Sequence, residues 1–219
     1  MLVASIQAGP VRSYGEAEAP DPQDRLWSTA AVKEPVPGPI WLGREGLAGD
    51  EHADLQHHGG PDKAILVYSA GHYPLWREEI FHHALPPGAF GENFTVDGVD
   101  ESDICIGDIY SLGAVVVQVS QPRRPCWKLA RRWRVPDLAV RMIHAGRPGW
   151  YLRVLEEGDV RPGGRFEFRE RPHPDWPVAR AHHVMHFEKT DPEAAAALAS
   201  CAALAQNWKS ELRKRVPQT

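Results

Sequence analysis

From about residue 177 to its end the chain contains no glycine and is rich in alanine, whereas the first 172 residues are interrupted repeatedly by Gly and Pro. Both residues are costly inside helices and mark turns between extended runs. The shift therefore predicts two regimes: a unit of strands and turns over residues 1–172, and a helical unit over residues 173–219. The boundary falls near Arg171-Pro172-His173-Pro174. Within the first unit, residues 1–8, 64–69, 93–96, 108–112, 114–120, 150–156 and 165–170 are short β-prone runs bounded by Gly, Pro or Asp. So many short strands predict a mainly β fold, a barrel or sandwich.

Helices interrupt this pattern. Ser69 is placed to cap a helix through Phe81 with Tyr73, Trp76 and Ile80 on one face, and Pro74 falls early enough to be tolerated. Pro125 can begin a helix through Trp133, and 137–145 reads as another, closed by Gly146. After Val178–Phe187, Thr190 and Glu193 form a capping box before an alanine-rich run to Ala205. In a last helix over 207–215, Trp208, Leu212 and Val216 make one apolar stripe. These segments predict a small helical bundle packed on the β unit.

A chain of 219 residues buries a sizeable core without disulfide or metal staples. Its net charge of −4 and pI near 6.3 exclude the global basic excess of a nucleic-acid binder. Cys105, Cys126 and Cys201 make no CxxC pair, which argues against a secreted disulfide framework. There is no basic leader and no run of about 18 apolar residues. The expectation is a soluble cytoplasmic protein without membrane contact, and a homodimer is compatible with it.

Chemistry concentrates at Cys126. From Arg123 to Arg134 there are six Arg or Lys and no Asp or Glu. Neighbouring cations and a helix N-terminus favour the thiolate, the form that acts as ligand or nucleophile; against this stands the common fate of a free cysteine, a buried structural thiol. Cys105 and Cys201 lie in apolar runs and read as core. A second segment, His57-His58-Gly59-Gly60-Pro61-Asp62-Lys63, offers a close backbone approach with His58 and Lys63 to meet an anion. It lacks the Walker pattern, and by itself it reads equally as a turn before a strand. Asn93, in Phe90-Gly91-Glu92-Asn93-Phe94, reads alone as a turn residue. His182 and His186, four apart, have a spacing that two metal ligands can share, but they lack HExxH and further ligands, so solvent-facing or core histidines are the simpler reading.

Taken together, GLAGDEHAD, HHGGPDKAILVYS, GAFGENFTVDG, IGDIYSLGAVVVQVSQPRRPCWKL and GWYLRVLEEG resemble, in order, the motifs of the MOSC family, the molybdenum cofactor sulfurase C-terminal domain, closest to its YiiM branch. The resemblance implies a β-barrel core with a helical C-terminal part, binding molybdenum cofactor, with Cys126 as the protein ligand to molybdenum. It further implies His58, Gly59, Gly60, Lys63, Asn93 and Arg123 as cofactor-binding positions; His58 or His72, as side chains that titrate near neutrality, are the candidate proton relays. The implied activity is reduction of N-hydroxylated compounds, including base analogues, as a detoxification. Three cysteines cannot supply a four-cysteine cluster while one serves molybdenum, and GxGxxG is absent, so a separate flavin or iron–sulfur reductase is the expected electron donor. Two alternatives remain open: a sulfur carrier using a Cys126 persulfide, and a cofactor-binding protein without turnover.

Overall fold

Eight strands hydrogen-bond into one curled, mixed sheet in the computed structural model, which describes residues 1–54 and 58–217. The chain opens with β1 (Leu2–Ala8), then passes through β2 (Arg12–Tyr14), β3 (Trp27–Thr29), β4 (Glu34–Pro35), β5 (Ile40–Gly43) and β6 (Gly46–Leu47). A 3-10 turn over Pro61–Lys63 leads into β7 (Ile65–Ser69), followed by α1 (His72–Trp76), a π-helical turn over Arg77–Phe81, and β8 (Phe94–Asp97). Next come β9 (Ile109–Leu112), β10 (Val115–Pro122), α2 (Trp127–Trp133), α3 (Leu138–His144), β11 (Trp150–Glu156), β12 (Gly158–Val160) and β13 (Glu167–Glu170). Three helices finish the chain: α4 (Val178–His186), α5 (Pro192–Ser200) and α6 (Gln206–Arg213).

The sheet order is β13-β9-β10-β11-β7-β8-β1-β4, with β7 and β8 its parallel neighbours. β7 is buried along its whole length and β10 nearly so, which suits their Val- and Ile-rich composition. The two ends of the sheet are drawn together. Val3 N–H donates to the Gly164 carbonyl (2.9 Å), Gly163 N–H to Val3 (2.8 Å), and Phe166 N–H to Met1 (3.0 Å). The expected mainly β, barrel-like architecture is therefore present, as a half-barrel with six helices.

The C-terminal helices share the core of the sheet. Val178, Val184, Leu198, Trp208 and Leu212 lie in one apolar cluster with Ile6, Val67, Phe94, Val117 and Trp150. A second cluster, including Tyr68, Trp76, Phe90, Leu129 and Met142, sits beneath α1, α2 and α3. The joint between sheet and helices is a bulge in β10, where the register with β11 shifts between Val119 and Gln121. At this bulge Ser120 donates from its hydroxyl to the Asp62 carbonyl (2.6 Å) and accepts at its own carbonyl from Ala205 N–H (3.0 Å).

Several helix boundaries differ from the sequence expectation. Ser69 does not cap a helix; it ends β7 and its hydroxyl donates to the Val99 carbonyl (2.7 Å). Asp191, not Thr190, caps α5, because the Asp carboxylate accepts from Ala194 N–H (2.9 Å). That helix stops at Ser200, where Cys201 turns out so that Ala205 can reach the bulge. Pro125 also lies outside α2, since Cys126 keeps an extended conformation (φ −110°, ψ 164°).

Replacing the fully buried Trp208 with alanine is expected to cost about 3–5 kcal/mol. Urea unfolding should show one transition, with helix and sheet signals lost together; two separated transitions would contradict a shared core.

Candidate functional site

The site forms where strand register gathers residues distant in sequence. Leu66 pairs with Tyr151, and Tyr151 with Gln121, so one row crosses β7, β11 and β10. Just past β10, Arg123 N–H donates to the Gly149 carbonyl (2.9 Å), which holds the following segment against the sheet. Cys126 then stands immediately before α2, half-buried, at the junction of two chambers.

The inner chamber is lined by Thr29–Ala31, Lys33, His52, His58, Gly59, Lys63, Asn93, Arg123, Lys128 and Tyr151, among others. The outer chamber shares Cys126, His58, Lys63, Lys128 and Tyr151 with it, and adds Asp54, Gln121, Arg124, Pro125, Trp127 and Asn207. The sequence thus brings His58, Gly59, Lys63, Asn93, Arg123 and Cys126 to one place. Gly60 follows Gly59 in the loop, and the first histidine of that motif, His57, lies outside the described residues. Gly59 is required by geometry: its φ is +80°, and an added Cβ would come within 2.7 Å of the His52 ring.

His72 is elsewhere. It is buried with its Nε2 2.7 Å from Glu101, whose other oxygen accepts from Gly149 N–H (2.7 Å). It lines a different cavity, so the proton-relay role expected of it has no support at Cys126. Asn93 lines the inner chamber, yet its amide is committed: it donates to Gln7 O (3.3 Å) and Asp50 (2.8 Å) and accepts from Leu66 N–H (3.0 Å). It braces the wall instead of offering a free donor. His182 and His186 sit 4.6 Å apart on α4, and His182 Nε2 donates to the Ile143 carbonyl (2.9 Å). Among the described residues no group of three or more His, Cys, Asp or Glu is arranged to hold a metal ion.

The run of cations around Cys126 is sorted by the fold. Arg131 donates to the carbonyls of Gln23 and Arg25, Arg132 to those of Ala31 and Gly88, and Arg134 to Asp24. These three fasten α2 to the neighbouring loops. Arg124 lies over the Trp208 ring at 5.3 Å. Arg123 and Lys128 face the inner chamber, where Lys33 and Lys63 join them from distant segments.

Arg123 is the decisive member. It is only 5% exposed, and its Nη1 has no hydrogen-bond partner among the described residues. A buried donor without a partner is costly, and an anion placed against this nitrogen would satisfy it. Lys33, by contrast, is buried in an ion pair with Asp50, and burial still lowers its pKa. His58 shows the same field: burial first, then Arg123, Lys63 and Lys128, hold its pKa down to about 4. Enclosure raises the Tyr151 pKa, so its phenol stays protonated and able to donate.

Tyr151, Lys33, His52, Lys128 and Asn207 were not singled out from sequence. Tyr151 lies inside one of the resembling motifs and Lys128 inside the cationic run. Lys33 and Asn207 carried no local signal.

Comparison with known proteins places these features in a family. The model for the MOSC domain matches residues 54–167, and the model for the YiiM-like, 3-alpha helix domain matches residues 176–218. The uncharacterized protein YflK of Bacillus subtilis is 42% identical over 187 residues, covering 85% of this chain and 84% of that protein. A Gibberella moniliformis protein named a reductase is 39% identical over 166 residues, 72% of this chain but 28% of its own length. The crystal structure of YiiM from Geobacillus stearothermophilus superposes with a TM-score of 0.82 at 34% identity, covering 99% of each chain. No helix among the described residues is long and apolar enough to cross a membrane.

The pKa of His58 gives a test with a definite sign. The folded chain holds it near 4, below its ordinary 6.5, so between these values the unfolded chain binds the proton more readily. Stability is therefore full above pH 6.5 and falls as pH drops through that window. His58→Asn should flatten the pH dependence of the urea midpoint there, only in part, because burial also lowers the pKa of His52, His182 and His186. Imidazole NMR showing His58 titrating at or above 6.5 in cofactor-free protein would contradict the field described.

Proposed function

This chain belongs to the MOSC domain family, with a YiiM-like three-helix domain at its C-terminus, and from that premise we propose that it is a molybdenum-cofactor-dependent reductase of N-hydroxylated compounds. MOSC domains are associated with molybdenum cofactor generally. The observation that carries the reading is the juxtaposition of a half-buried thiol, Cys126, with a buried Arg123 whose Nη1 has no hydrogen-bond partner among the described residues, in a cation-lined chamber. The thiol suits a soft metal, and the guanidinium suits a phosphate.

The residues present fit such a cofactor. Cys126 would hold the metal through sulfur, while Arg123, Lys63 and Lys128 would hold the anionic end, with the backbone at Gly59 and Gly60 allowing close approach. When bound, the cofactor supplies the two-electron redox centre at which oxygen is removed from nitrogen. The overall change is balanced: R–NHOH with two electrons and two protons gives R–NH2 and water.

The chain's own part is proton handling and exclusion. With its pKa near 4 in the cofactor-free state, His58 is neutral at pH 7 and has no proton to give. Burial is the first cause of that depression; an anion beside Arg123, Lys63 and Lys128 would offset the cationic part and move His58 toward taking up a proton. The Tyr151 phenol, which lines both chambers, can orient the hydroxylamine oxygen by donating to it. Cys105 and Cys201 are buried in the core, so neither serves electron transfer at the site. Electrons would arrive from a separate flavin or iron–sulfur reductase. The reductase-named Gibberella relative, much longer than the segment aligned here, supports an association of this fold with reduction.

Elemental analysis of protein from a cofactor-producing host should find roughly one molybdenum per chain and almost none in Cys126→Ala, as expected when the soft donor is removed. Reductase-coupled assays on wild type should convert an N-hydroxylated compound to its amine. Molybdenum absent from both proteins, with cofactor supply verified in the host, would overturn the proposal.

A further inference from the structure

Glu101 is a carboxylate that the proposed reaction leaves unused, yet it is only 2% exposed and engaged on every side. One of its oxygens lies 2.7 Å from His72 Nε2, the other accepts from Gly149 N–H (2.7 Å), and its backbone carbonyl accepts from Ala179 N–H (2.8 Å) at the start of α4. A buried carboxylate costs stability unless donors satisfy it. Here its side-chain partners come from α1 and from the segment leading into β11, so the carboxylate fixes those two against each other.

That segment is the one that holds Arg123. The Gly149 N–H is spent on Glu101, and the Gly149 carbonyl accepts from Arg123 N–H (2.9 Å). Two residues earlier the Arg147 carbonyl accepts from the Tyr68 hydroxyl (3.1 Å), and the Arg147 guanidinium pairs with Glu79 (2.9 Å) while lying over the Trp76 ring. Gly149 has no slack: its φ is +80°, and an added Cβ would come within 2.5 Å of the Val67 carbonyl oxygen. The two polar groups of Gly149 therefore join Glu101, beside the cavity that His72 lines, to Arg123, beside the inner chamber. Arg123 depends on such a tether, because its Nη1 finds no hydrogen-bond partner among the described residues.

We infer that Glu101 is a positioning residue for the anion site: acting through Gly149 and steadied by His72, it sets where Arg123 presents its guanidinium to the inner chamber. The inference rests on the reading of Arg123 as the residue that meets the anionic end of the cofactor. What the role requires of Glu101 is reach more than charge, since Gly149 N–H needs an acceptor oxygen at one place. A binding group fixed beforehand loses less freedom when its ligand arrives. His72 contributes as an anchor for the carboxylate, with no proton passing through it.

Two substitutions separate reach from charge. Glu101→Gln keeps an oxygen for Gly149 N–H and a side-chain partner for His72 while losing the charge; Glu101→Asp keeps the charge and falls one methylene short. Pyrophosphate affinity would be measured by calorimetry on the cofactor-free full chain, and His58 titration by imidazole NMR, with a urea midpoint for each variant. Positioning predicts pyrophosphate bound about ten-fold more weakly by Glu101→Asp and within about two-fold of wild type by Glu101→Gln. It also predicts that His58, whose pKa Arg123 helps to hold near 4, titrates at about 5 in Glu101→Asp, because the guanidinium has moved away. Loss of the Glu101 charge by itself acts with the opposite sign and lowers the His58 pKa. A purely structural role would lower the urea midpoint of Glu101→Asp and leave both readouts of the folded protein at wild-type values, which would overturn the inference. So would the reverse order, with Glu101→Gln impaired and Glu101→Asp intact. If Glu101→Asp does not fold, His72→Ala, which removes the anchor on the cavity side, is expected to shift the same two readouts in the same direction, and unchanged readouts there would sink the inference. Wild type that binds no pyrophosphate, with His58 still following this pattern, would leave the role of Glu101 standing and defeat the reading of Arg123 as a cofactor anchor.

Discussion

A buried guanidinium nitrogen without a hydrogen-bond partner is costly for a fold to hold, and the site gathers around one. Arg123 sits beside the row where β7, β11 and β10 meet, with its backbone tied to Gly149 and its Nη1 unanswered. Two nearby carboxylates are committed elsewhere: Asp50 is engaged by Lys33 and Asn93, and Glu92 is spent on Tyr73, Thr95 and the turn at Gly88–Phe90. Burial first, and then Arg123, Lys63 and Lys128, lower the His58 pKa; burial and Arg124 lower that of Lys63 against Asp62 and Asp54. An anionic ligand at this nitrogen would supply the partner it lacks among the described residues.

The bulge at Ser120 connects this site to the rest of the molecule. Its hydroxyl holds the loop before Lys63, and its carbonyl receives α6 through Ala205. Asp62 adds a second tie, accepting from Gln206 N–H (3.2 Å) and from Arg153 (2.8 Å). The glycine-rich loop, the central strands and the last helix are therefore positioned by one small set of polar contacts over a common apolar core.

Much of this was legible in the sequence, and what was not has a physical reason. Gly and Pro spacing marked the strands of the main sheet, and the loss of Gly marked the helices. Cys126 stood out because charge is visible at short range. What local reading could not do was sort the cations: helix α2 turns Arg131, Arg132 and Arg134 onto carbonyls and Asp24, while Lys33 arrives from just before β4. Residues 9–63 carried no β-prone run, yet β2–β6 form there and Thr29–Ala31 make a wall of the inner chamber. Asn93 matched the motif but is committed to bracing, and His72, selected as a titratable side chain, is held by Glu101 in another cavity. Each depends on tertiary register that no window of sequence contains.

The dispersal of the site along the chain has a kinetic meaning. Its walls come from segments near residues 30, 52, 63, 93, 123, 151 and 207, and the parallel pair β7–β8 must wait for the crossover through α1 to close. Contacts this distant meet their loop-closure entropy before they return any stability, so they form late. The chambers are thus among the last features to assemble during folding, and any large ligand they hold enters a chain that is already nearly complete.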